Sequence, residues 1–278
     1  MSLISASALA GKLFAPNLKI LDARFSLADP TLGRREFLHQ HIRGAQYLDL
    51  DADLSGPRTD PHLGRHPLPS PAHWQMVLER LGIAPEHEVV IYDQADGAMA
   101  AARAWVLFVL AGHQNVTVLN GGMNAWLALD LPTEDIVAVP EPSRYPVYFR
   151  MQRLIAEDEL KVRLHSADAL LLDARAPERF RGEVEPLDRK AGHIPGAVNR
   201  PYAQNLENGL FKLSEILRAE FDAAGAGSKE VLLSCGSGVT ACHNALALSH
   251  AGLDHWRLFA PSWSGWIADD ANQVAIGG

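Results

Sequence analysis

The only cysteines in this 278-residue chain are Cys235 and Cys242, and Cys235 has the surroundings of a nucleophile. It lies in Ser234-Cys235-Gly236-Ser237-Gly238-Val239-Thr240-Ala241, after the apolar run Val231-Leu232-Leu233 and before an Ala/Leu-rich segment from Cys242 to Ala251. The run predicts a short buried strand and the segment a helix. A cysteine at that handover sits at a helix N-terminus, where unpaired backbone N–H groups and the positive dipole end favour negative charge. Such a setting favours the thiolate, the form of sulfur that attacks. Gly236 and Gly238 let the backbone curl with its N–H groups inward, a cradle for a thiolate or a bound oxyanion that Val239 and Thr240 complete. Cys242, on the helix, reads as a small buried hydrophobe rather than a redox partner.

The elements that position this loop occur twice. Ile20-Leu21-Asp22-Ala23-Arg24 recurs as Leu171-Leu172-Asp173-Ala174-Arg175, and His41-Ile42-Arg43-Gly44-Ala45 as His193-Ile194-Pro195-Gly196-Ala197. Val89-Val90-Ile91-Tyr92 matches Val231-Leu232-Leu233-Ser234, and each is followed by an alanine-rich helical stretch ending in Ala-Gly. Val118-Leu119-Asn120 with Trp126 matches Leu258-Phe259-Ala260 with Trp266. Short apolar strands alternating with helical segments predict an α/β architecture with a mainly parallel sheet in each half. The expected organisation is a domain over 1–131, a linker over 132–152 and a second domain over 153–278. Pro132, Pro140, Pro142 and Pro146 suit an extended linker.

The two halves differ where the chemistry should be. Cys235 aligns with Asp93, in the acidic and longer loop Asp93-Gln94-Ala95-Asp96-Gly97-Ala98. That loop carries no sulfur and would repel an anionic substrate. The first half is therefore expected to be a scaffold and the second to be catalytic.

Composition narrows the function classes. Hydrophobic content of 47% and charge of 21% are ordinary for a globular protein. A net charge of −8 argues against a nucleic-acid surface, and no apolar run is long enough for a membrane span. Two cysteines on one loop–helix unit and a Met1–Leu13 segment without a secretory layout point to a reducing cytoplasm. His62 and His66 are four apart, but Pro61 and Pro67 disfavour a helix there and no cysteine joins them, so no metal is expected. Asp22–Arg24 and Asp173–Arg175 read as charge-assisted pairs that fix neighbouring loops.

Cys235-Gly236-Ser237-Gly238-Val239-Thr240-Ala241 resembles the catalytic loop of the rhodanese-like sulfurtransferases, in its mercaptopyruvate sulfurtransferase version. The resemblance spans almost the whole chain. It implies tandem rhodanese-like domains, each a mainly parallel sheet flanked by helices, and sulfur transfer through a Cys235 persulfide with no metal or organic cofactor. The donor it implies is 3-mercaptopyruvate; the acceptor is a thiol, a thioredoxin-like protein or cyanide. In the family, two arginines hold the donor's carboxylate. Arg179 matches the first, and Arg189, in a segment shorter than usual, is taken as the second. The resemblance further places Asp51 and His66 beside Ser237, a relay that could protonate the leaving group. It treats Trp263 and Trp266 as packing between domains. Pro261 and Gly265 stand where the family usually has glycine and glutamate.

Three other functions compete. Thiosulfate sulfurtransferases carry basic residues just after the cysteine, where this chain has neutral Gly236 and Ser237. Phosphatases of this general fold need an arginine where Thr240-Ala241 stands. A silent binding module would be expected to have lost the cysteine, as the first half has.

Overall fold

The computed structural model describes residues 2–97 and 100–278, so Ala98 of the first-half loop lies outside the described residues. The chain forms two compact units. One comprises Met1–Gly56, Pro69–Arg150 and Asn208–Phe211; the other Pro57–Leu68, Met151–Glu207 and Lys212–Gly278. The stretch Pro57–Leu68 thus belongs to the second unit although it lies early in the chain.

The first unit is built on strands β1 (Leu3–Ile4), β2 (Leu18–Asp22), β3 (His41–Ile42), β4 (Ala45–Tyr47), β5 (Glu88–Tyr92), β6 (Val116–Leu119) and β7 (Thr133–Glu134). Five of them form one parallel sheet in the order β1-β6-β5-β2-β4, while β3 and β7 pair antiparallel. Central β5 is covered on both faces, so Val89, Val90, Ile91 and Tyr92 are all buried, as expected of an interior parallel strand. Helices α1 (Ala6–Ala10), α2 (Leu32–His39), α3 (Pro71–Arg80), α4 (Ala101–Leu110) and α5 (Gly122–Ala128) complete the unit. Every residue of α4 except Val109 is buried, which is why its sequence is almost wholly apolar.

The second unit repeats the plan with helices α6 (Glu157–Arg163), α7 (Pro177–Phe180), α8 (Ser214–Ala223), α9 (Thr240–His250) and α10 (Ser262–Trp266). Its strands β8 (Ala169–Asp173), β9 (Val198–Asn199), β10 (Glu230–Ser234) and β11 (Trp256–Leu258) form a parallel sheet in the order β11-β10-β8-β9. The registers agree between units. Asp22 faces Tyr92 as Asp173 faces Ser234, and Asp22 and Asp173 each take the guanidinium two residues on: Arg24 Nη2 at 2.7 Å and Arg175 Nη2 at 2.8 Å. Those arginines reach onward to the carbonyls of Gln40 and Gly192 respectively, so each fork ties a strand end to the next loop. Trp263 and Trp266 pack with Leu171, Leu232 and Phe259 in the second unit's own core. That corrects the expectation of packing between domains: their indole N–H groups donate to the carbonyls of Lys190 and Gln273 in the same unit. No described helix is long and apolar enough to cross a membrane.

Candidate active site

Cys235 follows the last residue of β10 and is 1% exposed. Its Sγ accepts the Gly238 N–H at 3.1 Å, and Gly238 adopts φ +79°, the left-handed turn that returns the backbone toward the sulfur before α9 begins at Thr240. The loop is pinned from outside: Trp263 N–H donates to Cys235 O and Ser264 N–H to Gly236 O, both at 2.9 Å. Cys242 is fully buried and donates its thiol to Gly238 O at 3.2 Å.

Sequence reasoning missed Ser262. Its Oγ accepts the Cys235 N–H at 3.1 Å, donates to Phe259 O at 3.0 Å and lies 3.9 Å from Cys235 Sγ. Ser262 has φ +53° and is fully buried. A side chain in the left-handed region is unfavourable by roughly 1–2 kcal/mol, so its surroundings hold it there. The repeat contained the signal, because Gly122 occupies the same place in the first unit at φ +55°.

Pro57–Leu68 delivers the second set of groups. Pro61–Leu63 forms a single 3-10 turn, capped when Asp60 Oδ1 accepts the His62 N–H at 2.9 Å. Two prolines therefore permit one turn rather than none. His66 Nδ1 lies 2.8 Å from Ser237 Oγ, and both residues are buried. The stretch approaches α10 closely: a Cβ on Gly265 would stand 2.7 Å from His62 O, and one on Gly64 would stand 2.5 Å from Pro261 O. Real Cβ atoms do not come that close to backbone, so Gly265, where a glutamate was the usual residue, fits this approach. Asp51 belongs to the first unit, where its amide donates to Asp49 Oδ1 at 2.9 Å.

Arg179, on α7, faces the loop. A Cβ on Gly236 would lie 3.5 Å from both Nη atoms of Arg179 and 3.3 Å from Arg65 Nη2. Glu185 grips Arg179 at 2.8 Å, and Asp188 touches Arg179 at 3.3 Å while pairing with Arg65 Nη1. Both carboxylates are nearly fully buried, the two guanidinium groups less so. Arg189 is placed otherwise than expected. Its Nη2 donates to Ile267 O and its Nη1 pairs with Asp270 at 2.9 Å, because the segment turns its side chain toward the C-terminal loop. Arg65, not Arg189, is the second guanidinium at Gly236; its sequence neighbourhood gave no signal for this. Among the described residues, no group of three or more His, Cys, Asp or Glu is placed to hold a metal ion.

The family profile for the Rhodanese-like domain matches residues 5–129 and again 156–269. The chain belongs to the rhodanese-like family. A Pseudomonas aeruginosa relative named "Probable 3-mercaptopyruvate sulfurtransferase" is 43% identical over 99% of this chain and 98% of its own length. A thiosulfate sulfurtransferase from Bos taurus is 34% identical over 95% of this chain and 89% of its own. The crystal structure of the Escherichia coli 3-mercaptopyruvate enzyme SseA superposes with a TM-score of 0.84 at 30% identity, covering 95% of this chain and 99% of that one. This rhodanese-like protein is accordingly a sulfurtransferase with two tandem α/β rhodanese domains, and its relatives are named for two different sulfur donors.

Proposed function

We propose that the second unit moves sulfane sulfur from 3-mercaptopyruvate to a thiol, a thioredoxin-like protein or cyanide through a persulfide on Cys235, the first unit serving as scaffold. The observation that carries this reading is the Cys235 loop itself. Its sulfur accepts a backbone N–H, its next two residues are neutral, and a guanidinium stands beside Gly236. Cys235 thiolate attacks the donor's sulfur. The donor's S–C bond breaks, its electron pair leaves on carbon as the enolate of pyruvate, and a proton completes pyruvate. Ser237 hydroxyl supplies that proton and His66, 2.8 Å away, replaces it. Gly238 N–H, already aimed at Sγ, with Gly236, Val239 and Thr240 shaping the loop, offers a fixed dipole to the persulfide anion. Arg179 holds the donor's carboxylate, for which a planar fork suits better than an ammonium. The acceptor then attacks the outer sulfur and restores the thiolate.

Intact-protein mass spectrometry after separate exposure to 3-mercaptopyruvate and thiosulfate tests the proposal. One added sulfur on Cys235, arriving faster from 3-mercaptopyruvate, is the expected result; Cys235→Ser should take up none and Cys242→Ser should load nearly as the parent does. Faster loading by thiosulfate would keep the nucleophile and replace the donor. Equal loss in both cysteine variants would overturn the single-nucleophile mechanism.

A further inference from the structure

We propose that Arg65 is the second guanidinium that holds the donor's carboxylate, acting beside Arg179 and selecting for a donor whose carboxylate stands away from its sulfur. The inference rests on the donor reading above. Arg65 is fixed on both sides. Its own amide donates to Ser264 Oγ at 3.0 Å, and the next residue, His66, meets Ser237. Its side chain turns Nη1 to Asp188 and Nη2 to the space over Gly236, where both Nη atoms of Arg179 also arrive. Arg179 binds Glu185 through Nε and Nη2, which points its Nη1 at the same space. Asp188 touches both arginines and so sets the gap between the forks. Arg65 and Asp188 also border a cavity of about 400 Å³, together with Gly64, Arg189 and Ser264.

The shapes of the donors explain the selection. In 3-mercaptopyruvate two carbons separate the sulfur from a planar carboxylate, so sulfur at Cys235 leaves the carboxylate to reach groups one residue further along the loop. Thiosulfate carries its oxygens on the atom bonded to the transferred sulfur, in a tetrahedral array that two planar forks match less well. Asp188 is a positioning residue for this clasp, and the absence of a side chain at Gly236 is a condition for it.

The test is binding of pyruvate, the carboxylate-bearing product, to the parent, Arg65→Ala, Arg65→Lys and Arg189→Ala proteins by calorimetry, with steady-state kinetics on both donors. Arg65→Ala should weaken pyruvate binding and raise KM for 3-mercaptopyruvate by about tenfold or more, the range for a hydrogen-bonded charge, with kcat nearly kept. KM for thiosulfate should move less than about threefold, and Arg65→Lys should recover only part of the loss, since an ammonium lacks the fork. Pyruvate affinity and KM unchanged within about twofold in Arg65→Ala, or the loss appearing in Arg189→Ala instead, would overturn the inference. Should the parent load sulfur from thiosulfate alone, the donor reading falls while Arg65 is still judged by pyruvate. Binding lost in Arg65→Ala keeps it, and no binding by the parent overturns it.

Discussion

The loops after β5 and β10 share a frame and differ in what fills it. In each unit the first loop residue's carbonyl accepts an N–H at 2.9 Å from the second helix along, Met123 of α5 to Asp93 and Trp263 of α10 to Cys235. In each, a glycine N–H points back at that residue's side chain: Gly97 to Asp93 Oδ1 at 2.9 Å, Gly238 to Cys235 Sγ at 3.1 Å. Asp93 fills its cradle with a carboxylate of its own, taking Ala101 N–H on the second oxygen at 3.4 Å. Cys235 leaves its cradle holding one sulfur atom. The comparison teaches that the inward N–H groups belong to the fold and not to the cysteine. The first unit displays an anion sitting where the second is proposed to build one.

Moving the first unit's residue into the cysteine loop should have the largest effect. Cys235→Asp is expected to fold, with the new carboxylate accepting Gly238 N–H, and to lose sulfur transfer by more than about 10³-fold, since the nucleophile is gone. Circular dichroism and turnover measure the two halves of that statement. Residual activity near the parent's would end the assignment of Cys235 as the nucleophile.

Next comes Ser262→Gly, which gives the second unit the residue found at Gly122. Relief of the left-handed strain, roughly 1 kcal/mol, offsets part of the 1–3 kcal/mol for leaving Cys235 N–H unpaired. Denaturant unfolding should therefore shift by no more than about 2 kcal/mol, while single-turnover sulfur loading falls about tenfold. A stability change without a rate change would assign Ser262 to packing alone.

The smallest effect concerns the first unit. Burial, with the charge of Asp96 nearby, pushes the Asp93 carboxyl up to about 6 against amide hydrogen bonds that pull it down. The folded state then holds its proton at a pH where the unfolded chain, near its ordinary 3.8, has released it. This group's contribution to stability is complete below about pH 4 and is lost as pH rises through 6, on the order of 3 kcal/mol at most. Asp93→Asn should remove that slope from unfolding free energies measured between pH 4 and 6, with sulfur transfer nearly unchanged. A slope that survives the substitution would place the titration elsewhere.

Much of this was legible in the sequence because the repeat registers backbone. The strand runs, the Asp-x-Arg forks and the loop cysteine follow from periodicity and residue type, and the structure puts each on the expected element. The pairing of His66 with Ser237, implied by resemblance, is present as a 2.8 Å contact. Side-chain direction was less legible. Arg65 follows Gly64 and Arg189 stands between Asp188 and Lys190, and only the path of each segment decides which faces Gly236. Ser262 hid for another reason, since a positive φ at a serine has no compositional mark until its repeat partner, Gly122, is set beside it.

The placement of Pro57–Leu68 makes the protein indivisible at the level of the gene. A fragment beginning at residue 153, the boundary that repeat and linker suggest, would encode the cysteine loop without Arg65 or His66, and without the strip that lies on Gly265. No single cut yields the second unit whole. The unit that holds Cys235 includes a strip encoded between two stretches of the other unit, so exchanging the halves by recombination would part Arg65 and His66 from the cysteine loop.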